Sequence, residues 1–260
     1  MLINNIEYEI PRFSSGEMKL RHKELQKLVK DNCVKILYNG QISFLELMLI
    51  IEYYKSQNTR VELTLSYLPY QRMDKNNEIE VTTIELVAHI INSLKLDKLF
   101  VCEPHCSLQN FNNVNKISLI DSLFEKIKND INVTKSDKIC FPDMGAKNKY
   151  GNLASNYIYF EKKRALSTGL IDSFQMIGNL NDTKRVVIID DIISTGDTIQ
   201  NIVDNISKDI EIYIVCGHFE NNKYNLRLTQ NPQIKAIYTS NSLNKKQFGN
   251  LKVFDIKDLI

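Results

Sequence analysis

The sequence predicts an α/β fold of parallel sheets flanked by helices, and three observations carry that prediction. Short aliphatic and β-branched runs alternate with longer stretches of helical periodicity along the chain. The alternation comes as two successive series with a polar segment between them. Several of the short runs are continuously apolar, as strands buried on both faces of a parallel sheet are.

The first series opens with CVKILYNG (33–40), an aliphatic strand closed by a turn, and SFLELMLIIEYYKS (43–56), apolar at helical spacing. VELTLSYLPY (61–70) with TTIELVAHIINSLK (82–95), then KLFVCEP (98–104) with SLIDSLFEKIKND (118–130), repeat the same plan. NDINVTKSDK (129–138) is poor in apolar residues, so the domain boundary is placed there, giving domains over 1–135 and 136–260. The second series runs through KICFPDMG (138–145), YIYFEKKR (157–164), RVVIIDDI (185–192), DTIQNIVDNI (197–206), IEIYIVCGHF (210–219) and IKAIYTS (234–240). The closing residues are left available to pack back on the first domain.

Composition narrows the partners. Over 260 residues the chain is 43% apolar and 25% charged, which suits a soluble globular protein with a sizeable core. Its 33 basic and 31 acidic residues form no block of like charge, so nothing marks a nucleic-acid or membrane partner. Cys33, Cys102, Cys140 and Cys216 sit in apolar runs and Cys106 follows His105, a pattern that fits a reducing cytoplasm better than a disulfide framework. The opening MLINNIEYEIPRF lacks the basic and apolar regions of a signal peptide, and no apolar run reaches the length of a membrane span.

The chemistry concentrates in VVIIDDIISTGDTI (186–199). Val186 to Ile189 reads as a buried parallel strand, which places Asp190 and Asp191 where ligands gather, at its carboxyl end. Two carboxylates there can accept hydrogen bonds from vicinal hydroxyls or help hold a divalent metal. Ser194, Thr195, Gly196, Asp197 and Thr198 then supply hydroxyls and backbone N–H groups at a helix N-terminus, suited to phosphate. A diol beside a phosphate points to a ribose phosphate. The bland alternative is that the two acids only cap the following helix.

This stretch resembles the phosphoribosyl-diphosphate-binding motif shared by type I phosphoribosyltransferases and ribose-phosphate diphosphokinases. Further stretches favour the diphosphokinases: PRFSSGEMKL (11–20), SYLPYQRMDK (66–75), VCEPHCSLQNF (101–111), FPDMGAKNKYGNL (141–153) and YFEKKRAL (159–166) resemble, in collinear order, that family's adenine loop, ATP-binding strand end, histidine stretch, magnesium aspartate and basic catalytic loop. The resemblance implies two tandem type I phosphoribosyltransferase-like domains, an ATP side first and a ribose-phosphate side second, with the site between them and a homo-oligomer in which the Phe13 loop serves a neighbouring subunit. It assigns Phe13, Ser15, Glu17, Arg72, Met73, Asp74 and His105 to ATP, and His105 with Asp143 to Mg²⁺. Asp190, Asp191 and Ser194 to Thr198 hold the ribose phosphate, while Lys162, Arg164 and His105 are catalytic. The implied reaction is attack of the anomeric hydroxyl of ribose 5-phosphate on the β-phosphorus of Mg-ATP, with AMP leaving and the loop around Lys162 closing over the substrates. A type I phosphoribosyltransferase and a non-catalytic regulatory relative are the alternatives.

Several competing readings bear on single residues. Phe13 could be plain core, EKKR a solvated turn, and Cys102, His105 and Cys106 invite zinc, although a fourth ligand and a second paired cluster are missing. The chain also departs from the family pattern. It is shorter, no opening strand is evident before Arg12, and Ser15 and Met73 stand where relatives carry Asp and Gln. Asp197 lies within the 5-phosphate loop. A carboxylate there disfavours a dianionic monoester, so a 5-substituted acceptor such as ADP-ribose is expected beside ribose 5-phosphate.

Overall fold

The structure is a computed structural model that describes residues 1–75, 81–134, 136–164 and 171–260, with the side chains of 162–164 and 171–173 also outside the description. The chain divides into two compact units, Met1–Ile117 and Ser118–Ile260. Among the described residues no helix is long and apolar enough to cross a membrane.

The first unit contains β1 (Leu2–Ile3), β2 (Ile6–Glu7), α1 (His22–Gln26), β3 (Cys33–Tyr38), α2 (Phe44–Ser56), β4 (Arg60–Leu65), α3 (Thr83–Ser93), β5 (Lys98–Cys102) and β6 (Val114–Ile117). Its sheet runs β2-β1-β3-β4-β5-β6, parallel from β3 to β6, with β1 antiparallel to both neighbours. Two strands therefore precede Arg12, where the sequence suggested none. Each is two residues long, too short for periodicity to show, and they are joined through Asn4 and Asn5 at φ 49° and 65°, a left-handed turn that asparagine tolerates. Helix α2 starts with a capping box between Ser43 and Glu46 and buries Leu47, Ile50, Ile51 and Tyr54.

The second unit contains α4 (Leu119–Ile131), β7 (Lys138–Phe141), α5 (Met144–Tyr150), β8 (Tyr157–Arg164), β9 (Ile171–Ile177), β10 (Arg185–Ile193), α6 (Asp197–Asp204), β11 (Glu211–Phe219), α7 (Leu226–Gln230), β12 (Ile234–Ser240) and β13 (Leu251–Phe254). Its strand order is β13-β12-β11-β10-β7-β8-β9, parallel except for β9 against β8. The division between units falls before α4, whereas the polar segment after that helix suggested 135/136. Helix α4 buries Leu119, Ile120, Leu123, Phe124 and Ile127 and packs on β10, β11 and β12, so it belongs to the second sheet. The closing residues are built into this unit as well. Strand β13 pairs with β12, and the Ser122 hydroxyl donates to the Leu259 carbonyl at 2.8 Å.

Strand β10 enters the sheet through a clamp. Arg185 donates to both carboxylate oxygens of Asp137, at 2.9 and 2.8 Å, and to the Ile131 carbonyl at 2.6 Å. Burial raises the Asp137 carboxyl, but the hydrogen bonds from Arg185 and Thr134 outweigh it and hold the group below its usual range. From β7 the chain moves to β8 on one side and later returns to β10 on the other. The crevice between the ends of β7 and β10 is thus a topological switch point, where open α/β sheets bind ligands.

Candidate active site

Both acids of the opening pair lie at this switch point. Strand β10 extends to Ile193, beyond the Ile189 limit read from the sequence, because β11 accompanies it as far as Phe219. On its other side β7 pairs only from Val186 to Ile188, so the crevice opens beside Asp190 and Asp191. Asp191, 7% exposed, receives Lys149 Nζ at 2.9 Å, and its backbone N–H donates to Asp190 Oδ1 at 3.0 Å. Burial, reinforced by the charge of Asp190, pushes up the thiols of Cys140 and Cys216 on the flanking strands, so neither is a ready nucleophile. The capping-only alternative fails. Helix α6 is capped by Gly196 and takes no side-chain hydrogen bond at its N-cap.

The turn after β10 is held from below by α7. Asn222 and Asn225 donate their amides to the Ser194 carbonyl at 3.0 and 2.8 Å. Gly196 adopts φ +80°, and a Cβ there would lie 2.7 Å from Leu228 Cδ1, so both conformation and space require glycine. The Ser194 hydroxyl donates to Glu220 at 2.6 Å, and the Thr195 hydroxyl to Asp197 at 2.7 Å. Arg227 donates to the other oxygen of Asp197. The Thr195 hydroxyl first, and then Arg227, hold the Asp197 carboxyl below its usual range, so it stays ionised at neutral pH. Thr198 lies half-buried in the first turn of α6.

At the end of β7, Asp143 caps α5, accepting from the Ala146 N–H at 3.0 Å. Gly145 leaves room for that carboxylate, since a Cβ there would approach Asp143 Oδ1 to 3.2 Å. Strand β8 pairs with β7 from Tyr157 to Tyr159 and then continues past its end as an antiparallel arm with β9, Lys162 opposite Phe174 and Arg164 opposite Ile171. The backbone thus carries positions 162 and 164 beyond the carboxyl end of β7, on the same edge of the sheet as the diacid. Their side chains, and residues 165–170, lie outside the described residues.

The first unit groups its candidates at the carboxyl ends of its strands too. Residues 12–18 form a small hairpin: the Phe13 N–H donates to the Glu17 carbonyl at 2.8 Å, and Ser15 donates to the Glu17 carboxylate at 2.9 Å. Arg12 ties this hairpin to Glu46, at 2.6 Å, at the start of α2. That bond, with the Ser43 cap, lowers the Glu46 carboxyl below its usual range. Phe13 is 53% exposed under Lys19, whose Nζ sits 4.3 Å from the ring centroid, so it is a surface aromatic and not core. Arg72, Met73 and Asp74 follow β4, and His105 follows the adjacent β5. Fully buried Gln71 joins the two loops by accepting from the His105 N–H at 2.7 Å.

Glu103, fully buried at φ +41°, is paired to Lys116 at 3.3 Å in the same region. Burial pushes the Cys102 thiol up to about 12, which disfavours the thiolate that zinc needs. Among the described residues no three His, Cys, Asp or Glu side chains converge as a metal cluster.

Comparisons with known proteins bear on the family and the fold. The PRTase-CE family model matches residues 58–257. The chain belongs to the PRTase-CE family. Ribose-phosphate pyrophosphokinases of Sulfurisphaera tokodaii and Sulfolobus acidocaldarius are each 28% identical to this PRTase-CE member, over 256 and 270 residues. The matches span 92% and 98% of this chain and 84% and 90% of theirs, so it is a divergent relative of those proteins. A crystal structure of phosphoribosylpyrophosphate synthetase from Mycobacterium smegmatis matches with a TM-score of 0.73 at 20% identity, over 95% of this chain and 85% of that one. It shows the fold as tandem phosphoribosyltransferase-like domains. The sequence did not single out Lys149, Glu220, Asn225 and Arg227, which contact the diacid or the turn after β10, or Gln71, which contacts His105 in the first unit.

Proposed function

We propose that this PRTase-CE member is an ATP-dependent diphosphokinase that transfers the β,γ-diphosphate of Mg-ATP to the anomeric hydroxyl of a ribose 5-phosphate unit and releases AMP. The observation that carries the proposal is the diacid at the switch point beside a hydroxyl-lined turn, in a chain related over most of its length to ribose-phosphate pyrophosphokinases. Asp190 accepts from the ribose hydroxyls, with Asp191 fixed behind it by Lys149. The loop from Ser194 to Thr198 receives the 5-phosphate through its hydroxyls and the amides of the first turn of α6.

Magnesium suits this donor set as a companion of the triphosphate. The described residues form no cage of three ligands, and a hard cation of this kind is ordinarily bound through substrate phosphates and one or two carboxylates. Asp143 and His105 are the residues proposed to face it, and when bound it would neutralise phosphate charge. On the ATP side, Phe13 presents an open aromatic face for adenine, with Ser15 and Glu17 at the same hairpin. Arg72, Met73 and Asp74 border the nucleotide. Gln71 holds the His105 backbone in place. Lys162 and Arg164 neutralise the diphosphoryl group in flight, the task for which an ammonium and a forked guanidinium are suited. No covalent intermediate is required, since holding two substrates in line removes much of the barrier.

The acceptor is either ribose 5-phosphate or a 5-substituted relative such as ADP-ribose, whose esterified phosphate carries less charge beside Asp197. Incubation with Mg-ATP and each acceptor in turn, following AMP, tests the proposal. AMP release that depends on the acceptor is expected, faster with ADP-ribose if Asp197 sets the choice. No AMP with either acceptor contradicts the proposal. Consumption of phosphoribosyl diphosphate with a nucleobase would instead support the transferase alternative.

A further inference from the structure

Resting on that reading of the turn after β10, we propose that Arg227 is the phosphate-recognising cation of the acceptor site, parked on Asp197 and handed to the acceptor's 5-phosphate when the sugar binds. The turn needs such a group. Residues 194–198 contain no lysine, arginine or histidine, and Asp197 and Glu220 are carboxylates beside it. An anion entering hydroxyls and amides alone would meet like charge from these carboxylates. The cation that the described contacts bring to this turn is Arg227, from α7.

Its geometry suits a transferable donor. Arg227 engages Asp197 through Nη2, and the other donors of its planar guanidinium have no described partner. A forked guanidinium matches phosphate oxygens better than a single carboxylate oxygen uses it. Both side chains are well exposed, and an ion pair so open to water is weak and easily exchanged. The base of the side chain is nonetheless fixed. Asn225, two residues before it, holds the Ser194 carbonyl, and Leu228, the next residue, packs beneath Gly196. Arg227 is therefore tied to the turn by its neighbours while its head group stays free to change partner. Asp197 remains near the phosphate after the exchange, so it sets how much charge the site tolerates.

Calorimetric titration of ribose 5-phosphate into wild type, Arg227→Gln, Arg227→Lys, Asp197→Asn and the Asp197→Asn/Arg227→Gln double variant tests this, with steady-state kinetics alongside. Arg227→Gln should weaken binding and raise the acceptor KM about tenfold or more, while kcat at saturation and the KM for ATP hold. Arg227→Lys should recover part of the loss. Asp197→Asn should tighten binding a few-fold, and by more when Arg227 is present than when it is replaced, a difference that the double variant reads directly. Equal affinity in wild type and Arg227→Gln overturns the inference and leaves the site reading standing. A wild-type protein that binds neither ribose 5-phosphate nor ADP-ribose overturns both.

Discussion

Replacing Lys162 by alanine should lower kcat by about 10²–10³-fold and leave both KM values within a few-fold, because the ammonium acts on charge that develops only in transfer. The backbone supports the assignment: β8 runs beyond the end of β7 as a paired arm, which carries position 162 to the carboxyl edge of the sheet where Asp143 and the diacid lie. Phosphoryl-type transfer offers the protein little covalent work, so one well-placed cation can account for much of the rate. Rapid-quench measurement of AMP formation separates the chemical step from product release. An unchanged single-turnover rate would remove Lys162 from the mechanism.

The two aspartates should separate when each is replaced. Asp190→Asn should raise the acceptor KM by about 10–100-fold, the value of losing charge-assisted hydrogen bonds to sugar hydroxyls, with the thermal midpoint almost unmoved. Asp191 is different because it is buried against Lys149. Asp191→Ala removes the carboxylate 2.9 Å from that ammonium, so it should cost about 1–3 kcal/mol of stability as well as activity. Melting curves read beside acceptor titrations decide this. If both variants melt alike and bind the acceptor as wild type does, the diacid has no part in sugar binding.

The sequence made this pair legible because its signal is local: an aliphatic run, two acids and a turn rich in hydroxyls occupy one short segment. The repeated strand and helix patterns likewise revealed two α/β sheets. Short pieces escaped notice for a physical reason, since β1 and β2 are two residues each and a hairpin of that size has no period to detect. The amphipathic pattern of α4 announced a buried face but not the sheet that covers it.

Other parts of the site were invisible because they depend on contacts across the fold. Gln71 meets His105 from 34 residues away, Lys149 meets Asp191 from 42, and Arg227 meets Asp197 from 30. A single Gln, Lys or Arg in a chain carries no signal of its own. The Asp197 departure was visible, but its meaning was not. Read alone, it is a carboxylate that repels phosphate; beside Arg227 it also holds the cation that phosphate would need.

Phosphorus NMR of the products formed from Mg-ATP and an acceptor sugar tests the central claim most directly. Transfer of an intact diphosphate predicts AMP together with a coupled pair of resonances from a sugar 1-diphosphate, formed in equal amounts. ADP with a single phosphate added at the sugar's 1-position, or an acceptor left unchanged while ATP persists, would contradict the account.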